Sequence, residues 1–192
     1  MRRSPGKVAA VRGPVRSGGP AAALWDEFAC ALEACDGMAG AQAIHELWMR
    51  GEIGSNVERA LQQLWDAAAA TIPEWLPMRH VHWLPLVYEV TARFVPPQRG
   101  RSNIYLVLLD RSDSRGDPFG LYVGMSHYSP AQRFEQHKAG IRAAGSVLQR
   151  GLEVLTGPAL HLQGIRRTDA VRIEEELAEA LRAQGLCVQG GH

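Results

Sequence analysis

The chain has 192 residues, 46% of them hydrophobic and 21% charged, enough to close one ordinary core or a small core with an added module. That balance argues against a disordered chain, and three cysteines, an odd number, argue against a secreted disulfide framework. The net charge of +1 is unevenly spread: residues 1–20 carry +5, residues 21–99 carry −5 and residues 100–192 carry +1, so a neutral total leaves room for a phosphate-binding face.

Residues 1–20 are rich in Gly, Pro, Ser and Arg without apolar periodicity, and read as a disordered basic arm. Pro14, Pro20 and the pair Asp26-Glu27 interrupt the apolar stretch that a secretion signal needs, and no apolar run approaches the ~18 residues of a membrane span. A cytoplasmic protein without membrane contact is expected. Residues 21–99 read as a helical accessory region with a Pro-rich segment and a strand. Leu24, Phe28, Leu32 and Cys35, then Ile44, Leu47 and Trp48, then Val57, Leu61, Leu64, Trp65 and Ala68 recur at helical spacing, and Ser55 with Glu58 predicts a capping box. Two or three amphipathic helices follow, their Trp and Leu stripes forming core. Cys30 and Cys35, five apart, point roughly 140° away from each other on a helix and make no zinc pair. His80 and His82 share a face of an extended segment but have no third ligand near, so they read as structural. Residues 86–95 alternate as a strand does.

Beyond Pro96-Pro97 and Gly100 the order is an α/β domain with a small sheet. Residues 103–110 and 119–125 form a hairpin around a polar loop at 111–118. Ser129-Pro130 with Gln132 predicts a capped helix running to about Ala144. A weaker helix or turn is expected over 147–155, a strand over 159–165, and a last helix over about 169–184, stopping at Gly185.

The chemistry gathers in this region. Tyr105 and Tyr122 lie in partner strands, while Arg133 and His137 stand one turn apart on one face of the next helix. On the last helix Glu174 lies at the edge of the apolar stripe, Glu175 faces solvent and Glu176 flanks the opposite edge. A phenol, a guanidinium, an imidazole and a carboxylate suit phosphodiester hydrolysis. The carboxylate can hold a hard divalent cation, arginine a phosphate, and tyrosine or histidine the attacking water.

The runs Asn103-Ile104-Tyr105, Tyr122-Val123-Gly124-Met125-Ser126 and Arg133 to Gly140, with Ile173-Glu174-Glu175-Glu176-Leu177, resemble the GIY-YIG nuclease superfamily over about residues 101–186. The resemblance implies a small antiparallel sheet flanked by helices, and a nuclease domain over 100–192. It implies Tyr105 as general base or water-positioner beside Tyr122, Arg133 on the scissile phosphate, His137 assisting phosphate or proton handling, and Glu174 ligating Mg2+ or Mn2+. Gly124 permits close backbone approach, and Ser126, Lys138 and Arg142 are expected along the bound nucleic acid. Asn103 stands where the family has glycine, the tyrosines are 17 residues apart, and the asparagine often found after the glutamate helix has no clear counterpart.

The expected function is metal-dependent DNA endonuclease activity by in-line attack of water. Two other readings are a catalytically silent nucleic-acid-binding domain of the same fold, and a protein-interaction adaptor. Self-association or a protein partner is expected through residues 21–71.

Overall fold

A computed structural model describes residues 20–191, so all but the last residue of the expected basic arm lies outside the described residues. The architecture is mixed α/β. Three helices, α1 (Ala21–Glu33), α2 (Gly37–Met49) and α3 (Gly54–Ala68), precede a fourth, α4 (Leu84–Thr91). The hairpin strands β1 (Asn103–Asp110) and β2 (Phe119–Ser126) follow, then α5 (Pro130–Lys138), α6 (Gly145–Arg150) and β3 (Gly151–Val154). The short α7 (Thr156–Ala159), the long α8 (Arg167–Ala183) and β4 (Val188–Gly190) close the order.

The sheet runs β3-β1-β2-β4 and is open. β1 pairs antiparallel with β2 and β3, but β4 pairs parallel to β2, so the wholly antiparallel sheet expected above is corrected to a mixed one. The cause lies in α8, a crossover that carries the chain back along the sheet before β4 adds to its edge.

Strand alternation sorts β1 between two faces. Ile104, Leu106 and Leu108, with Leu121 and Val123 of β2, enter a large apolar core. That core is continuous with Phe28, Ile44, Trp48 and Leu64 of the N-terminal helices, Val87 and Val90 of α4, and Ile173, Leu177 and Leu181 of α8. Tyr105, Val107 and Leu109 face the other way, into a small cluster with Val147, Tyr122, Phe134 and Ala144 under α5 and α6. Tyr105 and Tyr122 therefore sit on the thinly covered face.

Several expectations are overturned. The alternating run at 86–95 forms no strand, and its first six residues lie in α4: Leu84, Val87, Val90 and Thr91 form the buried stripe of that helix, and Pro85 stands in its first turn. An apolar run with β-branched residues satisfies either period over so short a length. The strand expected at 159–165 is instead α7 and a 3-10 turn over Leu160–Leu162, with only Ile165 bridging Ser102. The segment expected to be helix or turn over 147–155 divides into the end of α6 and β3. Ser55 makes no cap, because α3 already starts at Gly54 with Ile53 before it. Trp65 lies half exposed rather than in the core stripe, Cys35 lies beyond α1, and His80 and His82 part company. His80 stacks on Trp48, and His82 reaches toward Asp117 at 3.5 Å. No helix among the described residues is long and apolar enough to cross a membrane.

Candidate active site

The hairpin register builds the centre of the site. Tyr105 pairs with Gly124 and Val107 with Tyr122, so the two tyrosines are diagonal neighbours on one face. Their ring centroids lie 5.9 Å apart. A Cβ on Gly124 would come within 2.6 Å of the Tyr105 phenol and 2.7 Å of the Tyr122 ring. Glycine is required there because both aromatic rings occupy the space a side chain would take. The close approach seen in the structure is between protein groups.

The third ring comes from α5. Ser129 caps the helix through a full capping box with Gln132, as predicted, and Pro130 begins the first turn. The helix stops at Lys138, six residues short of Ala144, because Gly140 adopts φ +75° and turns the chain back. Ile141 N–H closes the turn on the Gln136 carbonyl at 2.8 Å. The returning segment does two things. The Ile141 and Arg142 carbonyls accept from the Arg133 guanidinium at 3.2 and 2.8 Å, and Ala144 N–H donates to His137 Nδ1 at 2.9 Å.

That last bond fixes the imidazole. Nδ1 accepts, so in the neutral ring the proton is on Nε2, which lies 2.9 Å from the Tyr105 hydroxyl. Burial, with the Arg133 charge beside it, lowers the His137 pKa to about 4, so the ring is neutral at pH 7. Nε2–H therefore donates to Tyr105, and Tyr105 O–H remains available as a donor toward its neighbour Tyr122. The hydrogen bonds run in one direction, from Ala144 N–H through His137 to Tyr105, which faces Tyr122. Burial and then the neighbouring Tyr122 raise the Tyr105 pKa, so its phenol keeps its proton; burial also raises that of Tyr122.

Glu174, on α8 and half-buried, lies near the Met125 backbone at the end of β2, which favours its charged form, and its charge acts on Tyr122. Glu175 is exposed and Glu176 pairs with Arg172 at 2.6 Å, as the helical phase predicts. Burial, followed by the charge of Glu175, raises the Glu174 pKa to about 7. Among the described residues this half-buried carboxylate has no ion-pair partner. Among the described residues no three His, Cys, Asp or Glu side chains gather into a ligand set. One carboxylate fits Mg2+, which keeps most of its waters and is commonly held through one or two protein carboxylates plus substrate phosphate.

Beside the tyrosines opens a cleft of about 430 Å³, lined by Arg133, Arg142, Arg167, Ser126, His127 and Tyr128 among others. The structure brings Tyr105, Tyr122, Arg133, His137 and Glu174 around one place and sets Ser126 and Arg142 on the cleft wall. Lys138 is not brought in: its ammonium donates to the Gly151 carbonyl at 3.2 Å, toward β3. Asn103 has no left-handed backbone; its side chain donates to the Tyr128 carbonyl and accepts from Gly164 N–H, both at 2.9 Å.

Sequence reasoning missed Ala144, whose contribution is a backbone N–H and leaves no side-chain signal. It also missed Gln136, bonded to Arg133 at 3.1 Å, although the i,i+3 spacing could have found it. Comparison of the chain with protein-family models, curated proteins and solved structures finds no match.

Proposed function

We propose that the protein is a Mg2+- or Mn2+-dependent DNA endonuclease of the GIY-YIG kind, hydrolysing phosphodiester bonds by in-line attack of water. The observation that carries this reading is the Tyr105–His137 hydrogen bond at 2.9 Å within a cluster that also holds Tyr122, Arg133 and Glu174. Two residues from a hairpin, two from α5 and one from α8 converge, and a packed core has no need of such a set.

Arg133 retains N–H donors beyond those spent on Gln136, Ile141 and Arg142, and these would hold the scissile phosphate and stabilise its charge as attack proceeds. Tyr105 acts as a positioning residue, because its raised pKa keeps it a phenol and its oxygen already accepts from His137. Tyr122, whose ring lies beside those of Tyr105 and His137, orients the attacking water. His137 holds Tyr105 and sets the direction of the chain; its Nε2 already carries a proton and cannot take another from the tyrosine. Glu174 would hold the cation. When bound, a divalent cation neutralises phosphate charge and makes a water more acidic.

The test is cleavage of supercoiled plasmid and of single-stranded and branched DNA, with Mg2+, Mn2+ or EDTA. Metal-dependent nicking is expected from the native protein, with a fall of at least about 100-fold in Glu174→Gln and Arg133→Ala, the size of loss typical for a transition-state charge contact. A second reading, a silent nucleic-acid binder, is favoured by the protonated state of Tyr105, since a phenol so held is a poor base. DNA binding without cleavage under every metal condition would select it.

A further inference from the structure

The cleft beside the tyrosines has a chemistry that the hydrolytic residues do not require. Three arginines line it (Arg133, Arg142 and Arg167) and no carboxylate does. Next to them the rings of His127 and Tyr128 stack on each other, centroids 4.0 Å apart and planes inclined by 38°. Tyr128 is 40% exposed, so much of its ring remains open to solvent.

This aromatic pair is held by its backbone. Tyr128 N–H donates to the Ser126 hydroxyl at 3.1 Å, and the Tyr128 carbonyl accepts from Asn103 at 2.9 Å. Asn103 in turn accepts from Gly164 N–H, tying the platform to the turn before α8. A solvent-exposed tyrosine in an ordinary loop has no such bracing, and bracing lowers the entropy lost when a ligand stacks on the ring.

We propose that this platform binds an unpaired base of the substrate, while Arg142 and Arg167 hold the phosphates on either side. The preferred substrate class is then single-stranded or frayed nucleic acid rather than intact duplex. In a continuous duplex the bases are stacked on each other and offer no free face to Tyr128. An unpaired base has a free π-face, and cationic grooves with aromatic platforms are the usual means of holding single strands. This inference rests on the nuclease reading for its biological sense, but its test does not need cleavage.

Binding is measured by fluorescence anisotropy in EDTA, using the full-length Glu174→Gln protein and labelled oligonucleotides: single-stranded DNA, single-stranded RNA of the same sequence, blunt duplex DNA, and a single strand of abasic sites. Single strands are expected to bind at least about tenfold more tightly than duplex, with DNA and RNA arms showing whether the sugar is read. Tyr128→Ala should weaken single-strand binding by about 5- to 150-fold, the range of one base–aromatic stack, while Tyr128→Phe restores it. The abasic strand should bind the native ring no better than the normal strand binds Tyr128→Ala. Arg142→Ala and Arg167→Ala should each weaken binding to all strands and lower its salt dependence. Equal affinity for duplex and single strand, or single-strand binding indifferent to Tyr128→Ala in a protein with unchanged thermal unfolding, overturns the proposal. Tyr128-dependent strand binding with no cleavage by the native protein would uphold it while removing the nuclease reading.

Discussion

Gly124 shows how one residue decides whether the site exists. A methyl group there would meet the Tyr105 and Tyr122 rings well inside van der Waals contact, and those rings are held by the hairpin register and by His137. Gly124→Ala is expected to destabilise the fold by about 1–3 kcal/mol, the cost of overpacking, and to abolish any cleavage. Unfolding in urea and the nicking assay check both; a stable, active variant would mean that the rings are free to move. The types of the site residues were legible in the sequence, because Tyr105, Tyr122, Arg133, His137 and Glu174 fall in short distinctive runs. Their connections were not. The tautomer of His137 depends on a backbone N–H seven residues away, and Asn103 acts through its side-chain hydrogen bonds rather than its backbone angles.

Among elements, α5 supplies two of the candidate site residues, Arg133 and His137, from nine residues. Its capping box was readable from Ser129, Pro130 and Gln132, and its early end was marked by Gly140, a residue the helical periodicity alone could not weigh. Ser129→Ala is expected to cost about 1 kcal/mol of stability, the usual loss at a cap, measured as a lower urea midpoint. Because α5 presents both Arg133 and His137, fraying of its first turn should reduce cleavage more than it reduces overall stability; an unaffected cleavage rate would show that the turn at 139–144 alone holds the site. The hairpin was legible for a similar reason, since two apolar runs flank a polar loop. By contrast, α4 was misread as a strand, and β3 and β4 are too short to carry a period, with four and three residues. The parallel placing of β4 comes from packing on β2 and from Arg182, which donates to the Val188 and Gly190 carbonyls.

For the whole molecule, the continuous core makes the N-terminal helices part of the support under the sheet, so buried groups there bear on the stability of the site. His45 on α2 is 2% exposed, and neither ring nitrogen has a hydrogen-bond partner among the described residues. Burial lowers its pKa to about 4 from 6.5, while the charge of Glu46 acts the other way. His137 is shifted in the same direction. A depressed histidine pKa means that the unfolded chain binds the proton first. The associated stability is complete above pH ~6.5 and is lost as pH falls toward 4, on the order of 3 kcal/mol for His45. The melting temperature should fall across that window, and His45→Leu should flatten the fall without lowering stability at pH 7 by more than a well-tolerated core substitution does. An unchanged slope would show that His45 titrates alike in the folded and unfolded chain.

The claim at the centre of this account is that Tyr105 and His137 work as one hydrogen-bonded unit in phosphodiester hydrolysis. Its most direct test is the single-turnover cleavage rate of a labelled single strand in Mg2+ for the native protein, Tyr105→Phe, His137→Gln and the double variant. Each single change is expected to slow cleavage by about 10²–10⁴-fold, and the double variant should be no slower than the worse single one. No cleavage by the native protein, or losses that multiply in the double variant, would contradict it.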